Sequence, residues 1–218
     1  MEDVHEVLQA LQREYGKWPI TLFGHSMGSF IARRYAQLYS HELKNAIFCG
    51  TGATTSLHAV GHQIAKVLCA TSGAKTPSKL MNLLSFGSFN KGIPNVKTAF
   101  DWLCSDEDEV KKYIDDKQCG FISTNRFFYD LTDGLLTIAK NKEIEKIRKD
   151  LPILLIAGND DPVGDKGKGV YKVAKEYEDA GIENVVVYLF EGMRHEILNE
   201  KNKQHVYDVV LRWLNKNE

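Results

Sequence analysis

Ser26 stands between Gly24 and Gly28 in the stretch PITLFGHSMGSFIARRYAQLY, Pro19 to Tyr39, where a short apolar run gives way to an amphipathic one. A serine hydroxyl is a weak nucleophile until a base takes its proton, and it must stand clear of its own backbone to reach a substrate. A sharp strand-to-helix turn achieves this, but it strains the serine and crowds the strand against the helix. Small residues two positions either side relieve the crowding, which is the expected reason for Gly24 and Gly28. The helix that begins just after Ser26 aims free N–H groups and the positive end of its dipole at the reacting centre. A GxSxG pattern alone is short and matches often by chance; its position between strand and helix gives it weight.

Activation needs a base and a group to orient it, and on a fold of this kind they follow in the chain order serine, acid, histidine. Asp161 comes just after the apolar run LPILLIAG, and His195 sits in EGMRH just after VVVYLF. In an open parallel sheet the C-terminal ends of the strands meet, so both residues fall where Ser26 would be. The roles follow from the chemistry. Ser26 attacks, His195 relays the proton, and Asp161 orients the imidazole and stabilises its charged form. Asp160 shares the loop and competes with Asp161, which is preferred; Asp165 is an outside candidate.

Elements must exist to position these groups. Asp3 to Tyr15 carries Val4, Val7, Leu8, Leu11 and Tyr15 at helical spacing, closed by Gly16. Ile20–Phe23, Ala46–Cys49, Leu151–Ala157 and Val185–Phe190 read as strands, the first with the character of a strand buried on both faces. Ile31, Tyr35 and Leu38 continue a helix from Phe30, and further helices are expected over Val170–Ala180 and Val206–Leu214. Strands alternating with helices predict an α/β fold, a parallel sheet flanked by helices. From Thr54 to Asp150 no strand is evident. The chain is therefore expected to be one domain, 1–218, with a helical cap insertion at about 55–149. Ser105 to Asp108 carries a capping-box signature for one of the cap helices.

Composition narrows the function classes. With 218 residues, 43% hydrophobic and 26% charged, the chain can fill one core, and a net charge of −1 gives no pull toward nucleic acid or an anionic membrane. The opening MEDVHEVLQALQREYG lacks the layout of a signal peptide, and no apolar run approaches the ~18 residues of a membrane span. Cys49, Cys69, Cys104 and Cys119 form no CxxC pair; buried free thiols in a cytoplasmic protein are expected.

Other patterns have plainer explanations. Gly50-Thr51-Gly52 has the look of a dinucleotide-binding turn but lacks the third glycine and the acid about 20 residues on. GDKGKG, Gly164 to Gly169, lacks the Ser or Thr of a phosphate loop and reads as a flexible loop beside the acid. His58 and His62 are four apart, yet without a nearby acid they read as ordinary histidines, and no metal is expected. His25 is expected to line the pocket or pack. The run Asp106 to Lys112 is a solvated helix face. Leu43 to Phe100 holds lysines but no Asp or Glu, together with Leu80, Met81, Leu83, Leu84, Phe86 and Phe89. This is either an apolar lid for an acyl chain, with Leu83 and Phe86 as candidate pocket residues, or a cap helix packed on the sheet with its lysines in solvent.

The stretches Phe23-Gly24-His25-Ser26-Met27-Gly28-Ser29, Asp161-Pro162-Val163 and Glu191-Gly192-Met193-Arg194-His195-Glu196, with Thr98 to Leu103 in the cap, resemble the α/β-hydrolase family. The branch is that of monoacylglycerol lipases, lysophospholipases and serine aminopeptidases. The resemblance runs through essentially the whole chain and implies that the acid is the residue before Pro-Val, Asp161. It implies a carboxylic-ester hydrolase of monoacylglycerols or lysophospholipids, working through an acyl-enzyme without cofactor. A peptidase or thioesterase would use the same triad. In such relatives strands precede the nucleophile strand and an early His-Gly loop supplies one oxyanion donor. Here the Met27 N–H can supply one donor, while one helix alone precedes Ile20. A chain lacking the first strands is thus expected, with a weak esterase or a non-catalytic binding module as its consequence. The exposed strand edge would favour self-association, and at most peripheral contact with membranes is expected.

Overall fold

Two strands buried along their whole length set the centre of the molecule: β2 (Asn45–Cys49) and β3 (Ile153–Gly158). Successive side chains of a strand point to opposite faces, so such a strand must be covered twice. Ala46, Phe48, Ile153, Leu155 and Ala157 pack on one side with Leu8, Ala32, Tyr35, Ala36, Val173 and Tyr177. Ile47, Cys49, Leu154 and Ile156 pack on the other with Val206, Val209 and Trp213. In this computed structural model, which describes residues 1–217, β1 (Thr21–His25) and β4 (Val185–Phe190) flank that pair. The order is β1-β2-β3-β4 and every pairing is parallel, with Phe23 opposite Ile47, Ile47 opposite Leu154 and Leu154 opposite Val186.

Parallel neighbours need long crossovers, and here they are helical. α1 (Glu2–Tyr15) precedes β1, and α2 (Met27–Tyr39) joins it to β2. α8 (Lys168–Asp179) joins β3 to β4, and α9 (Lys203–Lys216) follows β4. α1, α2 and α8 supply the first face, α9 the second.

The connection between β2 and β3 holds α3 (Ser56–Leu68), α4 (Lys79–Phe86), α5 (Glu107–Asp115), α6 (Asn125–Ile138) and the single turn α7 (Asn141–Ile144). Its own small core gathers Ala65, Met81 and Phe128, with Phe86 and Phe127 against them. Among the described residues its one β-pairing is an isolated bridge between Pro77 and Thr124.

Two local expectations change. β1 is not buried on both faces: Thr21 is exposed, Phe23 is 39% exposed, and β2 is the neighbour it pairs with. The helix α2 begins at Met27, directly after Ser26, as its place in the elbow requires. The capping box expected at Ser105 does not form. Asp106 caps α5 by accepting from the Asp108 N–H at 3.1 Å, while Ser105 turns to Glu200. A capping box occurs instead at Thr55 and His58, opening α3.

Candidate active site

The end of β1 carries Ser26 in a conformation that side chains rarely adopt, with φ +53° and ψ −123°. Such a backbone costs roughly 1–3 kcal/mol and persists where its surroundings hold it. They do so here from both sides. The Ser26 N–H donates to the Cys49 carbonyl at 2.9 Å, and the Ser26 carbonyl accepts from the Ser29 N–H at 2.8 Å and the Ser29 hydroxyl at 2.6 Å. The flanking glycines differ in what they do. A Cβ on Gly24 would lie 2.3 Å from the Gly28 carbonyl oxygen and 2.7 Å from Ala32 Cβ, so α2 can sit this close only because Gly24 has no side chain. A Cβ on Gly28 would meet nothing within 4 Å, which corrects the expectation that crowding explains both.

His195 and Asp161 come to this turn from the ends of β4 and β3. His195 Nε2 lies 2.7 Å from Ser26 Oγ, and His195 Nδ1 lies 2.9 Å from Asp161 Oδ2. With Nδ1 donating to the carboxylate, Nε2 is left as the acceptor for the serine hydroxyl. The other carboxylate oxygen of Asp161 accepts from the Val163 N–H at 2.9 Å. Asp161 is 0% exposed, whereas Asp160 and Asp165 face solvent. The acid loop and the histidine loop are also tied together. The Asp160 N–H donates to the Met193 carbonyl at 3.0 Å, and the Gly192 N–H to Asn159 Oδ1 at 2.8 Å.

His25 packs beside His195, the two rings 4.9 Å apart, with His25 Nδ1 3.3 Å from Cys49 Sγ. Burial, and then the neighbouring His195, lower its pKa to about 4, so the ring is neutral at pH 7. Burial, with the Asp161 charge, raises the Cys49 thiol, which stays protonated. Both rings fit because Gly50 carries no side chain: a Cβ there would sit 3.0 Å from His195 Cε1 and 3.2 Å from His25 Cε1, at a φ of +59°.

Met27 opens α2, so its N–H has no partner within the helix and stands free beside the Ser26 hydroxyl's turn. Its side chain borders a cleft of about 390 Å³ between α2 and α6, lined by Phe30, Ile31, Phe127, Leu131 and Leu135 among others. Leu83 and Phe86 do not line it. Leu83 is 65% exposed on α4, and Phe86 packs against Trp102, Phe89 and Phe128.

The remaining sequence patterns have structural partners. The Gly52 carbonyl accepts from the buried Arg33 at 2.9 Å, and Lys166 in the GDKGKG turn donates its N–H to the Asp161 carbonyl at 2.9 Å. His58 Nδ1 accepts from the Thr55 N–H at 2.9 Å, and His62 stacks on Tyr129 at 4.6 Å. Among the described residues no group of three His, Cys, Asp or Glu could hold a metal, and no helix is long and apolar enough to cross a membrane. All four cysteines are free; Cys49 and Cys104 are buried, but Cys69 and Cys119 are only partly so.

Residues 1–202 match the family model described as serine aminopeptidase, S33. The chain belongs to this family, within the α/β-hydrolases. It is 26% identical over 206 residues to monoglyceride lipase of Saccharomyces cerevisiae, an alignment covering 91% of this chain and 61% of that relative. The chain thus spans less than two thirds of that relative's length. A highly thermostable carboxyl esterase from Bacillus coagulans, solved in complex with glycerol, superposes with a TM-score of 0.91 at 30% identity over 99% of this chain and 70% of the esterase. A lipase solved in an open form superposes with a TM-score of 0.86 at 27% identity, over 99% of this chain and 71% of its own.

This S33 member holds its site with residues that sequence reasoning passed over. Ser29 secures the elbow. Gly50, read only for its likeness to a nucleotide turn, makes room for two imidazoles. Trp102 packs its ring 5.2 Å from that of His195. Arg33, Arg194 and Glu200 hold loops together through backbone groups, contacts that leave no periodic signal in the chain.

Proposed function

We propose that this protein is a serine hydrolase that cleaves carboxylic esters of acyl lipids, of the monoacylglycerol or lysophospholipid kind, through an acyl-enzyme on Ser26. The single observation that carries the reading is the unbroken series Ser26 Oγ to His195 Nε2 at 2.7 Å and His195 Nδ1 to Asp161 Oδ2 at 2.9 Å, starting from a serine at positive φ. In this mechanism Ser26 Oγ adds to the ester carbonyl as His195 takes its proton. The imidazolium, steadied by Asp161, returns that proton to the departing alcohol. A water then attacks the acyl-enzyme, with His195 again as base, and releases the fatty acid. The Met27 N–H faces the developing oxyanion; a donor of this kind typically contributes roughly 10²–10³ in turnover.

The apolar cleft between α2 and α6 supports an acyl chain as the bound group, because Met27, the residue next to Ser26, lines it together with Phe30, Phe127, Leu131 and Leu135. In this reading the helices over 55–149 form the cap above the strand ends. The names of the esterase and lipases above support the ester class. Labelling with a fluorophosphonate probe, alongside hydrolysis of p-nitrophenyl esters of graded chain length, tests the proposal. Labelling is expected on Ser26 and not in Ser26→Ala, with turnover rising from acetyl to medium-chain esters. A folded protein that neither labels nor hydrolyses any of them would instead be a binding module. Preferential cleavage of an aminoacyl anilide or a thioester would move it to a peptidase or thioesterase.

A further inference from the structure

The loop that carries His195, residues 191–200, has no helix or strand of its own, yet the imidazole within it is 2% exposed and held on both nitrogens. Besides its ties to the loop of Asn159 and Asp160, the histidine loop is fixed by the insertion between β2 and β3. The Glu196 N–H donates to the Leu103 carbonyl at 2.7 Å, and the His195 N–H to the Trp102 carbonyl at 3.4 Å. Arg194 reaches across with one nitrogen, Nη1, to the carbonyls of Asp101 at 2.6 Å and Cys104 at 2.9 Å. Glu200, 2% exposed, closes the other end. One carboxylate oxygen accepts from both the Ser105 N–H and the Arg194 N–H at 2.9 Å, and the other accepts from the Ser105 hydroxyl.

A carboxylate this buried is retained only when donors replace its water, and all the donors it has belong to the two segments it joins. The far segment is itself rigid: the Asp101 carboxylate accepts from the N–H groups of Lys97 at 2.6 Å and Thr98 at 3.1 Å. Trp102, between the two ties, is the residue whose ring packs on His195.

We infer that Glu200 and Arg194 form a clamp that locks the Asp101–Ser105 segment to the histidine loop and thereby positions His195 between Ser26 and Asp161. They are positioning residues and touch no reacting atom. The inference rests on the proposed function for the role of His195, but the clamp acts on the geometry of the His195–Asp161 pair whether or not a substrate turns over. A displacement of about 1 Å at such a group can cost about 10²-fold in rate.

The test compares Glu200→Ala, Glu200→Gln and Arg194→Met in the full chain. It uses fluorophosphonate labelling rate, kcat and KM on a p-nitrophenyl ester, and the far-downfield imidazole N–H proton of the His195–Asp161 pair by NMR. Glu200→Ala is expected to lower kcat and the labelling rate by about 10²-fold with KM within about 2-fold, and to broaden the imidazole resonance. Glu200→Gln should recover most of the rate, because its amide oxygen accepts both backbone N–H groups and its amino group can donate to the Ser105 hydroxyl. If Glu200→Ala does not fold, Arg194→Met, partly buried and keeping an apolar stem, carries the test with a loss of about 10-fold at unchanged KM. Variants that keep the wild-type rate and a sharp resonance would overturn the clamp, as would a Gln variant no better than Ala. A wild-type protein that shows the resonance but never labels would overturn the hydrolase reading instead and leave the clamp to be judged by NMR alone.

Discussion

Asp160 and Asp161 differ by one position and face opposite environments. Asp161 is fully buried, bonded to His195 and to the Val163 N–H, whereas the Asp160 side chain points to solvent. Replacing Asp161 by Asn would favour the wrong imidazole tautomer, and kcat is expected to fall by about 10⁴. Asp160→Asn should stay within about 2-fold of wild type, since exposed sites rarely exceed about 0.5 kcal/mol. Steady-state hydrolysis of one ester by both variants checks this. His25 makes a pH prediction of a different kind. Its pKa is lowered from 6.5 to about 4, so below pH 6.5 the unfolded chain takes up a proton that the folded chain refuses. Stability from this group is complete above pH 6.5 and is lost as the pH falls toward 4, by up to about 3 kcal/mol. Urea unfolding at pH 7 and at pH 4.5 should show a smaller difference for His25→Asn than for wild type. An equal difference would mean that the ring is solvated.

Elements meet here at distances that single atoms decide. The β1–α2 contact depends on the missing Cβ of Gly24, which would otherwise stand 2.3 Å from the Gly28 carbonyl oxygen. Gly24→Ala is therefore expected to lose about 3 kcal/mol or more, since backbone rather than a flexible side chain must move. Gly28 lies within α2 and has open space where a Cβ would go, so Gly28→Ala is expected to leave stability unchanged or raise it by up to about 1 kcal/mol. Thermal midpoints of the two variants, measured side by side, give the contrast directly. The same element scale explains Arg33, fully buried on α2. It donates to Tyr177 on α8 and to the Gly52 carbonyl after β2, so the helix that follows Ser26 is braced against α8 and the loop after β2.

For the whole molecule the sheet edge matters most. Among the described residues β1 pairs with β2 alone, so its outer backbone groups have no strand beside them, and Phe23 and Trp18 are exposed close by. An apolar edge of this kind is a template for pairing with another chain. The protein is expected to self-associate in a concentration-dependent manner by size-exclusion chromatography with light scattering. Phe23→Lys, which places a charge on that strand, should shift the distribution toward monomer. A monodisperse monomer at high concentration in the wild type would refute the expectation.

Much of the frame was legible because it is local. Apolar runs with β character mark β2, β3 and β4 within two residues of their observed limits, and helical spacing marks α1, α8 and α9, since periodicity reports which faces are buried. The elbow at Ser26, and the placement of an acid and a histidine after later strands, could likewise be read from order along the chain. The rest depends on contacts between distant residues. Glu200 meets Ser105 across 95 positions, and nothing in the spelling of either segment announces the other. Leu83 and Phe86 had the right chemistry for a pocket, yet Leu83 is exposed and Phe86 stacks on Trp102, while Phe127 and Leu131 on α6 line the cleft beside Met27. Local sequence chose the strands, helices and reactive side chains, because propensity and burial pattern act over a few residues. Only the closed tertiary structure made Gly50 necessary and decided what holds His195, because those outcomes depend on which atoms are adjacent in space.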